Sequence, residues 1–161
     1  MNQKRFNVRS IVEAGMIAAL YAVTTLVFAP ISSGPIQVRI SEALTVLPMF
    51  TPAAIPGLFV GCIVANIFTS GIGIYDVIFG SLATLVAAYL SYKMPNRYLV
   101  PLPPVIVNAV VVGLVLHFGM QAPLLYTMLT VGIGELIACY ILGLPLIYLL
   151  EKYSRKLFIR K

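Results

Sequence analysis

Residues 30–57 read PISSGPIQVRISEALTVLPMFTPAAIPG. Five prolines, two glycines, Arg39 and Glu42 fall here, inside a chain that is otherwise almost continuously apolar. Backbone facing lipid must be helical or part of a closed barrel. Irregular, charged backbone between apolar helices persists only where protein buries it or where it borders water. The stretch therefore reads as the outer rim and first wall of a small-molecule site in a multi-span membrane protein.

The rest of the composition agrees. Of 161 residues, 60% are hydrophobic and 10% charged, with a mean hydropathy of +1.00. A soluble domain carries about 25% charged residues, so this chain cannot build a water-facing surface and belongs in a membrane. The formal net charge of +6 is not a nucleic-acid signature. Lys4, Arg5 and Arg9 open the chain, and Lys152, Arg155, Lys156, Arg160 and Lys161 close it. Flanking positive charge of this kind places both termini in the cytoplasm, which requires an even number of spans. The first apolar run lacks a clear cleavage site and reads as a mature helix. Cys62 and Cys139 lie in apolar runs without metal-ligand spacing and read as packing residues.

The expected fold is all-α: one membrane-embedded domain over residues 1–161, a six-helix bundle with a short second helix. The spans fall at about 10–28, 41–50, 53–70, 75–92, 105–118 and 124–150. The first carries Glu13 in its opening turn, where the helix dipole favours an anion. Ala14, Ala18 and Ala22 repeat at steps of four beside Gly15 and Ala19, a stripe that lets another helix approach closely; the approaching helix is either a partner's or one of this chain's own. The second span, with Ser41 as cap and Glu42 in its first turn, would rise only about 15 Å as an α-helix. Short, proline-interrupted spans are where transporters often place their sites. Lys93 and Arg97 after the fourth span, and the basic tail after the sixth, fit a cytoplasmic side. Among basic residues of the outer connections only Arg39 stands apart, so it needs a local reason.

Three of the five acids are hard to read as solvated. Glu42 and Asp76 both begin helices at the outer side, at the depth of Asn66 on the third span. Glu135 lies roughly 18 Å below Pro123, near the bilayer middle, where a carboxylate costs on the order of 3 kcal/mol and usually faces a cavity or the bundle interior. Each also has a structural role open to it: Glu42 as a cap paired with Arg39, Asp76 as a dipole partner, Asn66 and Glu135 as interhelical bonds. Asn108 reads as glue between helices, and His117 as an interfacial polar residue. Asp76, Phe79, Gly80 and Ala83 share one face of the fourth span at i, i+3, i+4 and i+7; Met128, Gly132 and Glu135 do the same on the sixth. Tyr75, Phe79, Tyr126 and Tyr140 offer rings for stacking on a planar ligand. Acids with aromatic walls suit a planar, nitrogen-rich or cationic ligand, because carboxylates accept from amidine-like N–H edges and amines.

No P-loop, HExxH or Cys–His metal set is present. No catalytic residue, cofactor or metal is assigned, and the chain reads as a non-enzyme; active transport would draw its energy from another protein or an ion gradient.

The stretch GPIQVRISEALTVLPMFTPAAIPGLFVGCIVAN, the later YDVIFGSLATLVAAYLSYK and PLPPVIVNAVVVGL resemble the QueT family, over nearly the whole chain from Val12 to about Tyr148. The resemblance implies a substrate-binding S component of an energy-coupling factor (ECF) transporter in the cell membrane. Its implied cargo is a queuosine precursor, 7-aminomethyl-7-deazaguanine or its cyano analogue, held in a site near the outer face. The implied partners are a membrane scaffold protein and two cytoplasmic ATPases, with the Ala14, Ala18, Ala22 stripe docking on the scaffold. Glu135 or Glu42 would read the guanine edge, Asp76 or the other glutamate would hold the amine, and Asn66 or Gln37 would donate to the purine carbonyl. Other readings are an S component for a thiamin-like cation, an autonomous carrier with Glu135 as a proton site, and a membrane enzyme acting on a lipid.

Overall fold

The computed structural model describes residues 8–32, 38–69 and 73–157, and every regular element among them is helical. The α-helices are α1 (Val8–Val27), α2 (Ala29–Ser32, a single turn), α3 (Ala54–Thr69), α4 (Ser81–Lys93), α5 (Leu102–Met120), α6 (Leu124–Leu136) and α7 (Gly143–Leu157). A 3-10 helix runs over Ile40–Met49. A π-helical turn, Asp76–Gly80, leads into α4, and another, Ile137–Leu142, joins α6 to α7. Among the described residues, three runs are long and apolar enough to cross a membrane: Val8–Val27, Leu102–Met120 and Leu124–Tyr153.

These elements are finer than six plain spans because α2 is one turn and the last span is interrupted by a π segment. The largest departure is at residues 40–49, which wind as a 3-10 helix, not as an α-helix. Glu42 N–H bonds Arg39 O at 3.0 Å and Phe50 N–H bonds Leu47 O at 2.9 Å, both three residues back. Pro48, inside the segment, has no N–H to give. At about 2 Å per residue the segment extends roughly 20 Å, further than the same ten residues would as an α-helix. It threads the interior, against α1, α3, α4, α7 and the second π segment. Ser41, Glu42, Ala43, Thr45, Val46, Leu47 and Pro48 are all buried, so protein, not lipid, surrounds this irregular backbone. Ser41 does not cap it: Arg39 is the capping residue and makes no side-chain cap bond, while Ser41 Oγ accepts from Thr25 Oγ1 of α1 at 2.7 Å.

Consecutive helices α3, α4, α5 and α6 pack side by side, and α1 packs on α3. Small residues set the α1–α3 distance. A Cβ at Gly57 would stand 2.7 Å from the Ala14 carbonyl oxygen, and one at Gly61 2.8 Å from that of Ala18. The Ala14–Ala18 stretch of the stripe is thus taken up within the chain, and Ala22 is buried as well. The neighbouring face of α1, with Gly15 and Ala19, is exposed, and a Cβ at Gly15 would meet nothing within 4 Å. Since α1 begins at Val8, Glu13 lies beyond the first turn rather than in it.

Ile17, Tyr21, Leu47, Leu58 and Cys62 centre one apolar core, Val46, Val100 and Ile147 a second, and Val112, Leu116 and Val131 a third. Large apolar side chains such as Val12, Met16, Val23, Ile67, Phe68 and Leu125 face outward, as lipid contact requires. At the end of the bundle bearing Lys93, Arg97 Nη1 pairs with Glu151 Oε2 at 3.0 Å and lies over the Tyr98 and Tyr148 rings. This ties the 94–101 connection to α7.

Candidate functional site

Polar side chains gather in two connected groups. The first is at the bundle end where the 3-10 helix begins. Arg39 Nη2 donates to Asn66 Oδ1 and to Asp76 Oδ2, each at 3.2 Å. Asn66 Nδ2 donates in turn to the Asp76 backbone carbonyl at 3.1 Å and reaches Cys62 Sγ at 3.5 Å. Gly80 makes room for this: a Cβ there would stand 2.8 Å from Asp76 Oδ1 and 3.0 Å from Asn66 Nδ2. The local reason for Arg39 is therefore Asp76, not Glu42 three residues along.

The second group lies deeper. Glu42 is wholly buried and Glu135 is 3% exposed. Tyr21 OH, from α1, donates a short hydrogen bond to Glu42 Oε1. Asn108 Nδ2, from α5, donates to Glu135 Oε1 at 3.1 Å, and Asn108 also acts on Glu42. Cys139 Sγ, in the second π segment, lies 3.5 Å from Glu135 Oε2 and 3.6 Å from the Glu42 carbonyl. Thr45 Oγ1 donates to that same carbonyl at 2.6 Å. The two carboxylates are near enough to act electrostatically on each other. Among the described residues, Glu42 Oε2 and Asn108 Oδ1 have no hydrogen-bond partner. An unsatisfied buried polar atom costs about 1–3 kcal/mol. These two acceptors, one on Glu42 and one on the amide that holds Glu135, are open to a donor.

The structure thus joins Arg39, Asn66 and Asp76 in one group and Glu42 and Glu135 in the other. Tyr75, Phe79 and Tyr126 are not brought to the acids; they are 59%, 47% and 55% exposed. The cause for Phe79 is the π turn. Its wider winding breaks the α-helical i, i+3, i+4 register, so Asp76, Gly80 and Ala83 are buried while Phe79 swings out. Tyr75 and Phe79 line an apolar cavity of about 680 Å³ with Val111, Leu114, Val115, Phe118 and Gly119. None of the buried acids borders it, so this cavity and the polar chemistry are separate places. Gln37 lies outside the described residues. Among those described, no three His, Cys, Asp or Glu side chains are grouped to hold a metal ion.

Sequence reasoning passed over Tyr21, Thr45 and the polar role of Cys139. One signal for Tyr21 was available: it lies four residues from Ile17, on the same face of α1, and a buried tyrosine hydroxyl normally finds a partner. His117 Nδ1 lies 2.6 Å from the Ala122 carbonyl, a turn contact remote from the acids.

Spanning-length apolar helices around a buried cluster of acids and amides define a membrane-embedded protein with an interior polar site, the architecture of a transporter component. The chain belongs to the QueT transporter family, whose family model matches residues 11–152. Over 97 residues it is 36% identical to a protein named queuosine precursor transporter QueT from Lactococcus lactis subsp. cremoris (strain MG1363). That match takes in 59% of this chain and 56% of the relative, so it spans little more than half the relative's length. No solved structure matches.

Proposed function

We propose that this chain is the membrane-embedded substrate-binding subunit of an ATP-driven ECF importer, capturing a queuosine precursor at the outer face. In this reading the chain crosses the membrane six times with both ends cytoplasmic, and performs no catalysis of its own. A membrane scaffold protein and two cytoplasmic ATPases supply the drive. The scaffold would dock on the face of α1 that α3 leaves open, at Gly15 and Ala19, beside the Ala14–Ala22 stripe.

One observation carries the reading: Glu42 and Glu135 are both buried, Asn108 donates to Glu135 and acts on Glu42, and Glu42 Oε2 and Asn108 Oδ1 are unpartnered. A deazaguanine presents an N–H and NH2 edge that one carboxylate accepts in two bonds, and an aminomethyl group presents a cation to the other. Asn66 and Asp76, held by Arg39, close the site on its outer side, and Gln37 would join them from the adjoining connection. Tyr75, Phe79 and Tyr126 would then contribute to the path of entry more than to the floor of the site.

The test is binding to the purified chain in detergent without ATPases. The aminomethyl and cyano deazaguanines, guanine and thiamin are compared. Tight binding of a deazaguanine is expected, and Glu135→Gln should weaken it by about 1.5–3 kcal/mol through loss of a charge-assisted bond. Binding of thiamin with no deazaguanine bound would keep the architecture and remove the cargo. Uptake by the chain alone in liposomes under a proton gradient would replace the ATP-driven reading with an autonomous carrier.

A further inference from the structure

Glu42 and Glu135 come from different elements, yet they share one interior site without a cation of their own. The groups facing Glu42 are Tyr21 OH from α1, the Asn108 side chain from α5, and, at its carbonyl, Thr45 Oγ1 and Cys139 Sγ. Cys62 of α3 stands within electrostatic reach. Glu135 is faced by Asn108 Nδ2 and Cys139 Sγ. The nearest positive charge, Arg39, is paired with Asp76 at 3.2 Å and acts on both glutamates only from a distance. No Lys, Arg or His forms an ion pair with either glutamate among the described residues.

Two carboxylates sharing a buried site do not both ionise readily, because like charge and lost hydration oppose the second ionisation. The open acceptors, Glu42 Oε2 and Asn108 Oδ1, ask for a donor. A proton on one carboxyl provides one, and so does a ligand ammonium. We propose that the Glu42–Glu135 pair holds one proton when the site is free of ligand and releases it to solvent when a cationic ligand binds. Capture of a cation is then coupled to proton release, and the pair selects a cationic ligand over its neutral analogue. The charge balances: a pair of charge −1 loses a proton to become −2 and gains a ligand of +1. A neutral ligand read by the one ionised carboxylate leaves the proton where it was. This rests on the reading above, that the acids face the ligand.

The experiment has two arms, both on the full chain in detergent. In the first, difference infrared spectroscopy of the ligand-free protein at neutral pH should show the C=O band of a protonated carboxylic acid, absent from the Glu42→Gln/Glu135→Gln double variant. Absence of that band from the unaltered protein overturns the proposal whatever the cargo is. In the second, calorimetry in buffers of different ionisation enthalpy counts protons. About one should be released per bound 7-aminomethyl-7-deazaguanine and close to none with the cyano analogue, and neither single Gln variant should retain that difference. Equal proton counts for the two ligands overturn the proposal while leaving the cargo reading intact. If neither deazaguanine binds and the band is present, the cargo reading fails and the resting proton stands.

Discussion

Asn108 on α5 donates to Glu135 on α6 at 3.1 Å and leaves its own carbonyl oxygen without a partner in the buried interior. One amide thus does two things at once. It holds a carboxylate that would otherwise be expensive to bury, and it leaves an acceptor open.

Replacing Asn108 with Leu, of similar size, separates these effects. Glu135 Oε1 would lose its donor, so the empty protein should be destabilised by about 1–3 kcal/mol. Ligand binding should weaken by a comparable amount because an acceptor in the site is gone. Thermal melting in detergent with and without ligand reads both quantities. If both stay at wild-type values, Asn108 is neither glue nor site.

The contact between α1 and α3 yields a paired prediction. At Gly61, a Cβ would stand 2.8 Å from the Ala18 carbonyl and 2.9 Å from Tyr21 Cβ. Gly61→Ala must therefore push α1 away, at about 1–3 kcal/mol for overpacking, and drag Tyr21 from Glu42. Gly15→Ala adds a Cβ that meets nothing within 4 Å, and an alanine favours the helix by up to about 1 kcal/mol. The Gly61 variant should melt lower, whereas the Gly15 variant should melt at or above the wild-type temperature. A bulkier Gly15→Leu should spare the isolated chain and impair only its assembly with a scaffold, measured by co-purification.

How much of this was legible beforehand depended on which force decided each element. The apolar runs and the charges beside them located helices α1, α3 and α5 to within a few residues and the start of α6, but not the π segment inside the last run or its end at Leu157. That Glu135 faces the bundle interior could be anticipated from a lone carboxylate in an apolar run, and it is 3% exposed. The winding of residues 40–49 could not be read, because a buried segment obeys its neighbours rather than its own propensity, and Pro48 withholds a bond at its end. Neither π segment carries a sequence signal, so the helical-wheel face placed Phe79 beside Asp76, and the real turn separates them. Tyr21 drew no notice, and Cys139 read as a packing residue, because Glu42, which Tyr21 OH and Cys139 Sγ both reach, lies 21 and 97 positions away from them. Only the assembled bundle brings them together.

Arg39 and Asp76 bring opposite charges together at a site that is only about a tenth exposed on each side. Such a pair gives little net stability over apolar replacements, but removing one partner strands the other, at up to about 3–5 kcal/mol. Arg39→Met should therefore be strongly destabilising. Asp76→Asn should cost less, since Asn66 Oδ1 still accepts from Arg39. The double variant should recover much of the Arg39→Met loss. Melting temperatures of the four proteins complete the cycle. Additive losses would mean that the two side chains are neighbours without an energetic link.

Tyr21→Phe is the smallest change that reaches the deeper acid. It keeps the ring, which is buried among Ile17, Leu58 and Ala65, and removes only the hydroxyl that donates to Glu42 Oε1. Glu42 Oε2 already lacks a partner, so the variant leaves both carboxylate oxygens to whatever enters the site. The empty protein should lose about 1–3 kcal/mol of stability. The bound protein should lose less, because a ligand donor satisfies the oxygen that tyrosine abandoned. The ligand-induced rise in melting temperature should therefore be larger in Tyr21→Phe than in the wild type, at ligand concentrations that saturate both. A smaller rise would mean that Tyr21 holds Glu42 in the geometry the ligand needs, so that losing the hydroxyl harms the loaded state more than the empty one.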